Sequence, residues 1–349
     1  MESEVLYENS RYYSCRYLND FYIVFTGRFI YNYKEIRPCC ALVKNMPTSV
    51  FGKTGKETVE NFIEMRNALI VNAKNKSSFT PPQFIYDCDK CEHYKLDEWE
   101  ESIFIKHINF SIYPSPCQCK CIYCGVSDKY DETYEVINNY NIIFDAINYA
   151  KKIDLISLDT QWQVSSGEIT IHPYKDKILN LVKNNPVSIL TNCFIYDEQI
   201  GEILKTNPYA AINLSIDAGT PETWYKVKGV NNFNKVIENL NKYHDNYMHD
   251  KQITLKYIII PAINDTYDDF VSVIEIMKTL KINKIAVSRD STFKHDNLKK
   301  LQLIESAGIF LAILSKNNKK TLLLYTSKER EAIIKYARNL LGNETEVLL

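Results

Sequence analysis

The 349-residue chain has no long apolar run, almost no net charge and no basic, aromatic-rich extension. Crossing a bilayer as a helix takes about 20 consecutive apolar residues, and no stretch approaches that, so no membrane association is expected. The start, Met1-Glu-Ser-Glu-Val5, lacks the basic and apolar segments of a signal peptide, and the expected compartment is the cytoplasm. A formal net charge of −1 argues against a broad nucleic-acid or membrane surface. The missing basic extension argues against RNA as a substrate. What the chain does have is length enough for one large domain plus a small one, an ordinary 45% apolar content and ten cysteines. In a reducing compartment disulfides do not persist, so metal or redox chemistry is the default reading of those thiols.

The cysteines are densest at Cys117-Gln-Cys-Lys-Cys-Ile-Tyr-Cys124. Read as C-x-x-x-C-x-x-C, the stretch carries Cys117, Cys121 and Cys124 on one short loop. Three thiolates at that spacing can fold around three corners of a 4Fe–4S cube, because iron–sulfur clusters are held by soft cysteine sulfur. The remaining iron is then open to bind and reduce something. Cys119 lies between the ligands, but no other choice gives the three-then-two spacing. On this loop alone, a zinc knuckle and a chance cluster of cysteines are the alternatives.

The loop resembles the cluster-binding loop of the radical S-adenosylmethionine (radical SAM) superfamily. The resemblance implies that Cys117, Cys121 and Cys124 hold a 4Fe–4S cluster, and that the methionyl amine and carboxylate of S-adenosylmethionine chelate the open iron.

Residues 1–100 have a different character. They carry Cys15, the pair Cys39-Cys40 after Pro38, and Cys88-Asp-Lys-Cys91. A helix is expected from Lys56 to Val71, with a short hairpin of Tyr22–Phe25 and Phe29–Tyr31 turning near Gly27. A C-x-x-C joined to two distant cysteines is a four-ligand set that suits structural zinc or a second 4Fe–4S cluster, and spacing does not separate the two. The segment is similar to a shortened SPASM module, which carries auxiliary clusters in many radical SAM enzymes. Here it would precede the barrel rather than follow it, with fewer cysteines. The resemblance implies one auxiliary 4Fe–4S cluster on Cys15, Cys39, Cys88 and Cys91, with Cys40 as the spare.

From residue 103 a strand-then-helix rhythm begins, the pattern of a parallel sheet. Strands are expected at 103–113, from 155, and at 187–190, 211–216, 253–260 and 284–288. Helices are expected at 134–152, 175–184, 197–205, 233–246 and 267–280. The predicted fold is α/β: a partial (β/α)6 TIM-like barrel at 101–292, preceded by a small cysteine-rich α+β module at 1–100. Residues 293–349, a helix, a strand at 321–325 and a last helix, are expected to close the open side.

Barrel active sites sit at the C-terminal ends of strands, and those ends carry unusual residues. Ser165-Ser-Gly-Glu168 places a glycine beside an acid, which lets backbone approach a ligand while the carboxylate accepts from an amine; a plain turn is the alternative. It resembles the family's G-G-E-P motif, with Ser166 for the first glycine and the proline displaced to Pro173, which implies cofactor contacts at Gly167 and Glu168. His172 is expected to lead into the following helix. Leu190-Thr-Asn-Cys193 resembles the family's T-N-G, implying a cofactor contact at Asn192 and placing Cys193 where glycine is usual. Cys193 reads as a small buried residue, with hydrogen-atom donation to a substrate radical as its catalytic alternative. Ser215-Ile-Asp217 resembles the S-x-D stretch of SPASM-type members. Ser215 and Asp217 alternate with apolar neighbours, so both are expected to face the barrel mouth, while Thr220-Pro221 caps the next helix. Ile258–Asp265 resembles the segment beside the adenine, with Asn264-Asp265 expected to cap a helix. Lys256 and Arg289 are candidate partners for the cofactor carboxylate or a substrate acid.

The resemblance, over residues 103–290, implies an enzyme that reductively cleaves S-adenosylmethionine to a 5′-deoxyadenosyl radical, which abstracts hydrogen from a substrate. SPASM-like companions suggest a peptide or a small carbohydrate or alcohol, with oxidation, epimerisation or crosslinking as outcomes. An electron donor such as flavodoxin or ferredoxin is the expected partner. The competing readings are a glycyl-radical activating enzyme and a non-enzymatic iron–sulfur or zinc electron-relay protein.

Overall fold

The chain divides into two compact units, Met1–Pro114 with Asp131–Val164, and Ser115–Tyr130 with Ser165–Leu349. A computed structural model describes residues 11–26, 35–39, 47–75, 88, 91–111, 115–124, 134–165, 167–249, 251–290, 297–342 and 346–349. Cys40, Ser166 and the expected strand Phe29–Tyr31 lie outside these residues.

The first unit runs β1 (Tyr12–Ser14), a helical turn α1 (Arg16–Asn19), β2 (Tyr22–Thr26), β3 (Glu35–Arg37), β4 (Ser49–Val50), α2 (Gly55–Asn75), β5 (Lys95–Asp97), β6 (Ile105–Ser111), α3 (Tyr134–Lys152) and β7 (Ile156–Val164). β1 and β5 pair antiparallel. The larger sheet has the order β7-β6-β2-β3-β4; β2, β6 and β7 are parallel and the last two pairings antiparallel. The return strand opposite β2 is therefore Glu35–Arg37. In α2, apolar residues recur three and four apart, so Val59, Phe62, Leu69, Ile70 and Ala73 share one buried stripe. Gly55 begins that helix because a side chain there would collide with the α3 backbone at Asp145 and Ala146. Buried Arg66 donates to the carbonyls of Leu18, Asn19 and Ser102 at 2.8, 3.2 and 3.1 Å and lies over the Phe21 ring.

The second unit continues with α4 (Lys175–Val182), β8 (Val187–Thr191), α5 (Glu198–Thr206), β9 (Ala210–Ser215), α6 (Pro221–Lys228), α7 (Phe233–Asn246), β10 (Ile253–Ile259), α8 (Tyr267–Thr279), β11 (Lys284–Arg289), α9 (Asn297–Lys316), β12 (Lys320–Leu324) and α10 (Ser327–Leu341). Its strands are all parallel, in the order β8-β9-β10-β11-β12. Helix starts are fixed by side-chain caps: Asp197, Thr220 with Pro221 behind it, Thr266, and the capping box of Thr326 with Glu329. Asn264 does not cap α8 as expected; Thr266 does.

Alternation along these strands gives two unlike faces. Ile189, Ile212, Leu214, Leu255, Tyr257, Ile285 and Val287 form the buried face with helix residues such as Leu240, Phe270 and Phe310. The opposite face carries Ser188, Asn213, Ser215, Thr254, Lys256 and Ser288, brought side by side by strand register. β12 adds a strand beyond β11, and the sheet stays open rather than closing into a full barrel.

Candidate metal and cofactor site

Four turns of the second unit share one backbone feature. Gly167, Cys193, Asp217 and Ala262 all have positive φ, at 55°, 55°, 48° and 64°. Only glycine adopts this conformation without cost, and such turns concentrate at functional sites. Cys193 thus occupies a turn suited to the glycine that usually stands there. Gly167 is doubly constrained, because a Cβ would strike the Pro116 carbonyl and the Ser115 side chain.

The cysteine loop is fastened onto these turns. Glu168 N–H donates to Pro116 O at 2.7 Å, just ahead of Cys117. Lys120 N–H and Ile122 N–H donate to the carbonyls of Lys228 and Val227, at 2.8 and 3.0 Å. Gly229, at φ 69°, lets α6 end against Lys120. Tyr123 reaches inward, its hydroxyl donating to Asp217 Oδ2 at 2.5 Å and accepting from Lys228 Nζ at 2.8 Å. Lys228 and Asp217 form a buried ion pair at 2.5 Å, with side chains 2% and 0% exposed. Asp217 Oδ1 also accepts from Ile258 N–H at 2.6 Å, and Asn264 bridges the carbonyls of Asp217 and Ile258 at 2.9 and 2.8 Å. Burial alone would depress the Lys228 ammonium, but the charges of Asp217 and Cys121 hold it above the usual lysine range.

Lys228 and Tyr123 carry this network, and the sequence reading missed both. The available signal was a lysine completing the buried stripe Trp224, Val227, Lys228 of α6; a lysine on an apolar stripe needs a buried anion.

Among the described residues, no three His, Cys, Asp or Glu side chains already surround a common point for a metal ion. The loop thiols hydrogen-bond to one another instead. Buried Cys119 lies between Cys117 and Cys121 and bonds to both, which lowers the other two thiols, Cys121 to about 6, where Lys228 adds to the effect. The bonds to Cys117 and Cys121, reinforced by burial, raise Cys119 itself. The donor set fits an iron–sulfur cluster: three partly buried thiols on one loop, two of them biased toward thiolate.

Glu168 is fully buried, and its carboxylate is occupied. Oε1 accepts from Thr170 N–H, the Thr170 hydroxyl and the Thr191 hydroxyl at 3.1, 2.9 and 2.8 Å; Oε2 accepts from Asn192 N–H at 2.6 Å. Burial nonetheless pushes its carboxyl above the usual range. Asn192 points its amide at the cysteine loop, with Nδ2 at 3.7 Å from Cys117 Sγ and 3.4 Å from Cys119 Sγ.

The Radical SAM superfamily profile matches residues 114–302, which contain this loop and every strand-end turn just described. The chain belongs to the Radical SAM superfamily. Its members are enzymes that carry a 4Fe–4S cluster and S-adenosylmethionine. The chain is 24% identical over 233 residues to the probable GTP 3′,8-cyclases of Saccharolobus islandicus strains L.S.2.15 and Y.G.57.14, covering 63% of this chain and 72% of each relative. Among solved structures, Streptococcus suis SuiB matches 85% of this chain at TM-score 0.50 and 13% identity, which shows a shared fold. This chain spans 60% of the length of SuiB.

Around the radical SAM loop, the other expected contacts fall into two groups. Ser215 and Lys256 are cross-strand neighbours on the polar face of the sheet, and the Lys256 ammonium has no ion pair among the described residues; burial draws its pKa down. Arg289 instead pairs with Glu329 at 3.2 Å. Cys193 is fully buried, and burial holds its thiol well above the ordinary range. His172 does lead into the next helix; it is buried and depressed to about 4 by that burial.

In the first unit, Cys15, Cys39 and Cys88 line one apolar pocket with Leu18, Leu69 and Tyr94. Cys91 is tied to Cys88, its N–H donating to Cys88 O at 3.0 Å. Burial raises the Cys15 thiol, and the neighbouring charge of Cys91 adds to it.

Among the described residues, no helix is long and apolar enough to cross a membrane.

Proposed function

We propose that this radical SAM enzyme holds its cluster on Cys117, Cys121 and Cys124, binds S-adenosylmethionine at the open iron, and abstracts hydrogen from a peptide or a small carbohydrate or alcohol. The observation that carries this reading is the loop itself: three partly buried thiols, tied by Lys120 and Ile122 to α6 and by Tyr123 to the turn at Asp217. The bound cofactors supply a one-electron cleavage of a carbon–sulfur bond and a carbon-centred radical. The chain supplies position. Gly167 opens backbone to the ligand, and Glu168 and Asp217, each saturated with donors, brace the loop. Ser215 and Lys256 present a hydroxyl and a cation with no ion pair among the described residues, suited to the ribose and carboxylate of the cofactor. A flavodoxin or ferredoxin would deliver the electron, in the reducing cytoplasm.

The proposal extends to the first unit, where Cys15, Cys39, Cys88 and Cys91 would hold an auxiliary 4Fe–4S cluster in a SPASM-like module. The shared pocket of three of these thiols supports it. The likeness to the Saccharolobus probable GTP 3′,8-cyclases favours a second substrate class, a purine nucleoside triphosphate.

Anaerobic reconstitution with iron, sulfide, S-adenosylmethionine and dithionite tests the reading. The wild-type protein should yield 5′-deoxyadenosine and Cys121→Ala none. Iron-loaded wild type giving no product would leave the electron-relay reading instead.

A further inference from the structure

We infer that Asn192 is a positioning residue that donates a side-chain hydrogen bond to the cysteinyl sulfur of Cys117 and thereby sets the reduction potential of the cluster. The inference rests on the three-cysteine reading of the loop and goes beyond it.

The Asn192 side-chain amide has a fixed orientation toward the sulfurs. Asn192 Oδ1 accepts from Phe194 N–H at 2.9 Å and from Gln118 Nε2 at 3.3 Å. A backbone N–H can only donate, so the oxygen must face Phe194 and the NH2 group must face the loop. That NH2 has two hydrogens and two sulfurs before it, Cys117 at 3.7 Å and Cys119 at 3.4 Å. The main chain is equally fixed, because Asn192 N–H donates to the fully buried carboxylate of Glu168 at 2.6 Å. The donor is therefore held by three contacts that do not depend on the sulfurs.

Hydrogen bonds to cluster sulfurs are a principal control on reduction potential. A thiolate that accepts an N–H loses electron density, which favours the reduced cluster with its extra negative charge. Removing the donor should make reduction harder. Three backbone amides of the loop are committed elsewhere, Lys120 and Ile122 to α6 and Cys124 to Cys121 O, while Cys119 N–H also bonds to Cys117. The Asn192 amide is thus the side-chain nitrogen donor directed at Cys117 among the described residues.

The test is a redox titration of the anaerobically reconstituted protein without S-adenosylmethionine, followed by electron paramagnetic resonance. Asn192→Leu, neutral and of similar size, should shift the reduction equilibrium about tenfold toward the oxidised cluster, a change of about 59 mV to more negative potential for one electron. Unchanged potential at unchanged iron content overturns the inference while leaving the loop reading intact. An iron-free wild type overturns both. Should Asn192→Leu lose its cluster, wild type grown with side-chain 15N-asparagine decides: pulsed resonance should detect a weak nitrogen coupling to the reduced cluster, and its absence overturns the inference.

Discussion

Lys228→Met is expected to destabilise the second unit by about 3 kcal/mol, and Asp217→Leu by about 5 kcal/mol. The magnitudes follow from what each substitution strands. The pair is buried, at 2% and 0% side-chain exposure, so removing one partner leaves the other charge without water. Without Lys228, the Asp217 carboxylate keeps Ile258 N–H and the Tyr123 hydroxyl, which places that loss at the low end. Without Asp217, the ammonium keeps only the Tyr123 oxygen at 2.8 Å among the contacts described above, which places that loss at the high end. Replacing both charges removes the stranded group, so the double variant should cost far less than the sum. Denaturant titration reports this through Trp224, whose buried ring lies 5.4 Å from Lys228 Nζ. Losses below about 1 kcal/mol, the scale of an exposed pair, or a strictly additive double variant would refute the reasoning.

Gly167→Ala places a side chain at φ 55° against Pro116 and Ser115; the expected result is weaker iron retention under chelation, checked by iron analysis. His172 is held at about 4 in the folded chain against an ordinary 6.5. The unfolded chain therefore binds the extra proton between those values, and stability should fall on acidification from pH 6.5 to 4 by up to about 3 kcal/mol. His172→Gln should flatten that window in pH-dependent unfolding. If the first unit holds a cluster, Cys88→Ser should lower total iron by about half, since each 4Fe–4S site carries the same metal count; bound zinc in place of that iron would contradict the proposal.

The periodic parts of the fold were readable before the structure. Helices over Tyr134–Lys152 and Phe233–Asn246 follow directly from their apolar spacing, and Thr220-Pro221 marks the start of α6 by cap chemistry alone. The grouping of Cys117, Cys121 and Cys124 on one loop was readable because their spacing is local. The network behind them was not. Alternation along β9 placed Ser215 and Asp217 on one face, but the strand ends at Ser215 and the chain turns at Asp217 with φ 48°. Periodicity has no authority past that point, and the Asp217 carboxylate goes to Ile258, Tyr123 and Lys228 instead. Tyr123 is 94 residues from Asp217 and 105 from Lys228, so only folding reveals the contact. Arg289 was legible as a cation at a strand end, but its partner Glu329 belongs to the capping box of α10, a segment whose return to β11 no local pattern announces.

In the function proposed above, the Cys117–Cys124 loop leaves one iron for S-adenosylmethionine. Mössbauer spectroscopy of 57Fe-reconstituted Cys15→Ser/Cys88→Ser protein, with and without S-adenosylmethionine, tests it most directly. The expected spectrum is that of a 4Fe–4S cluster in which one iron alone changes its isomer shift when the cofactor is added. Four irons unaffected by the cofactor, or no iron bound, would contradict it.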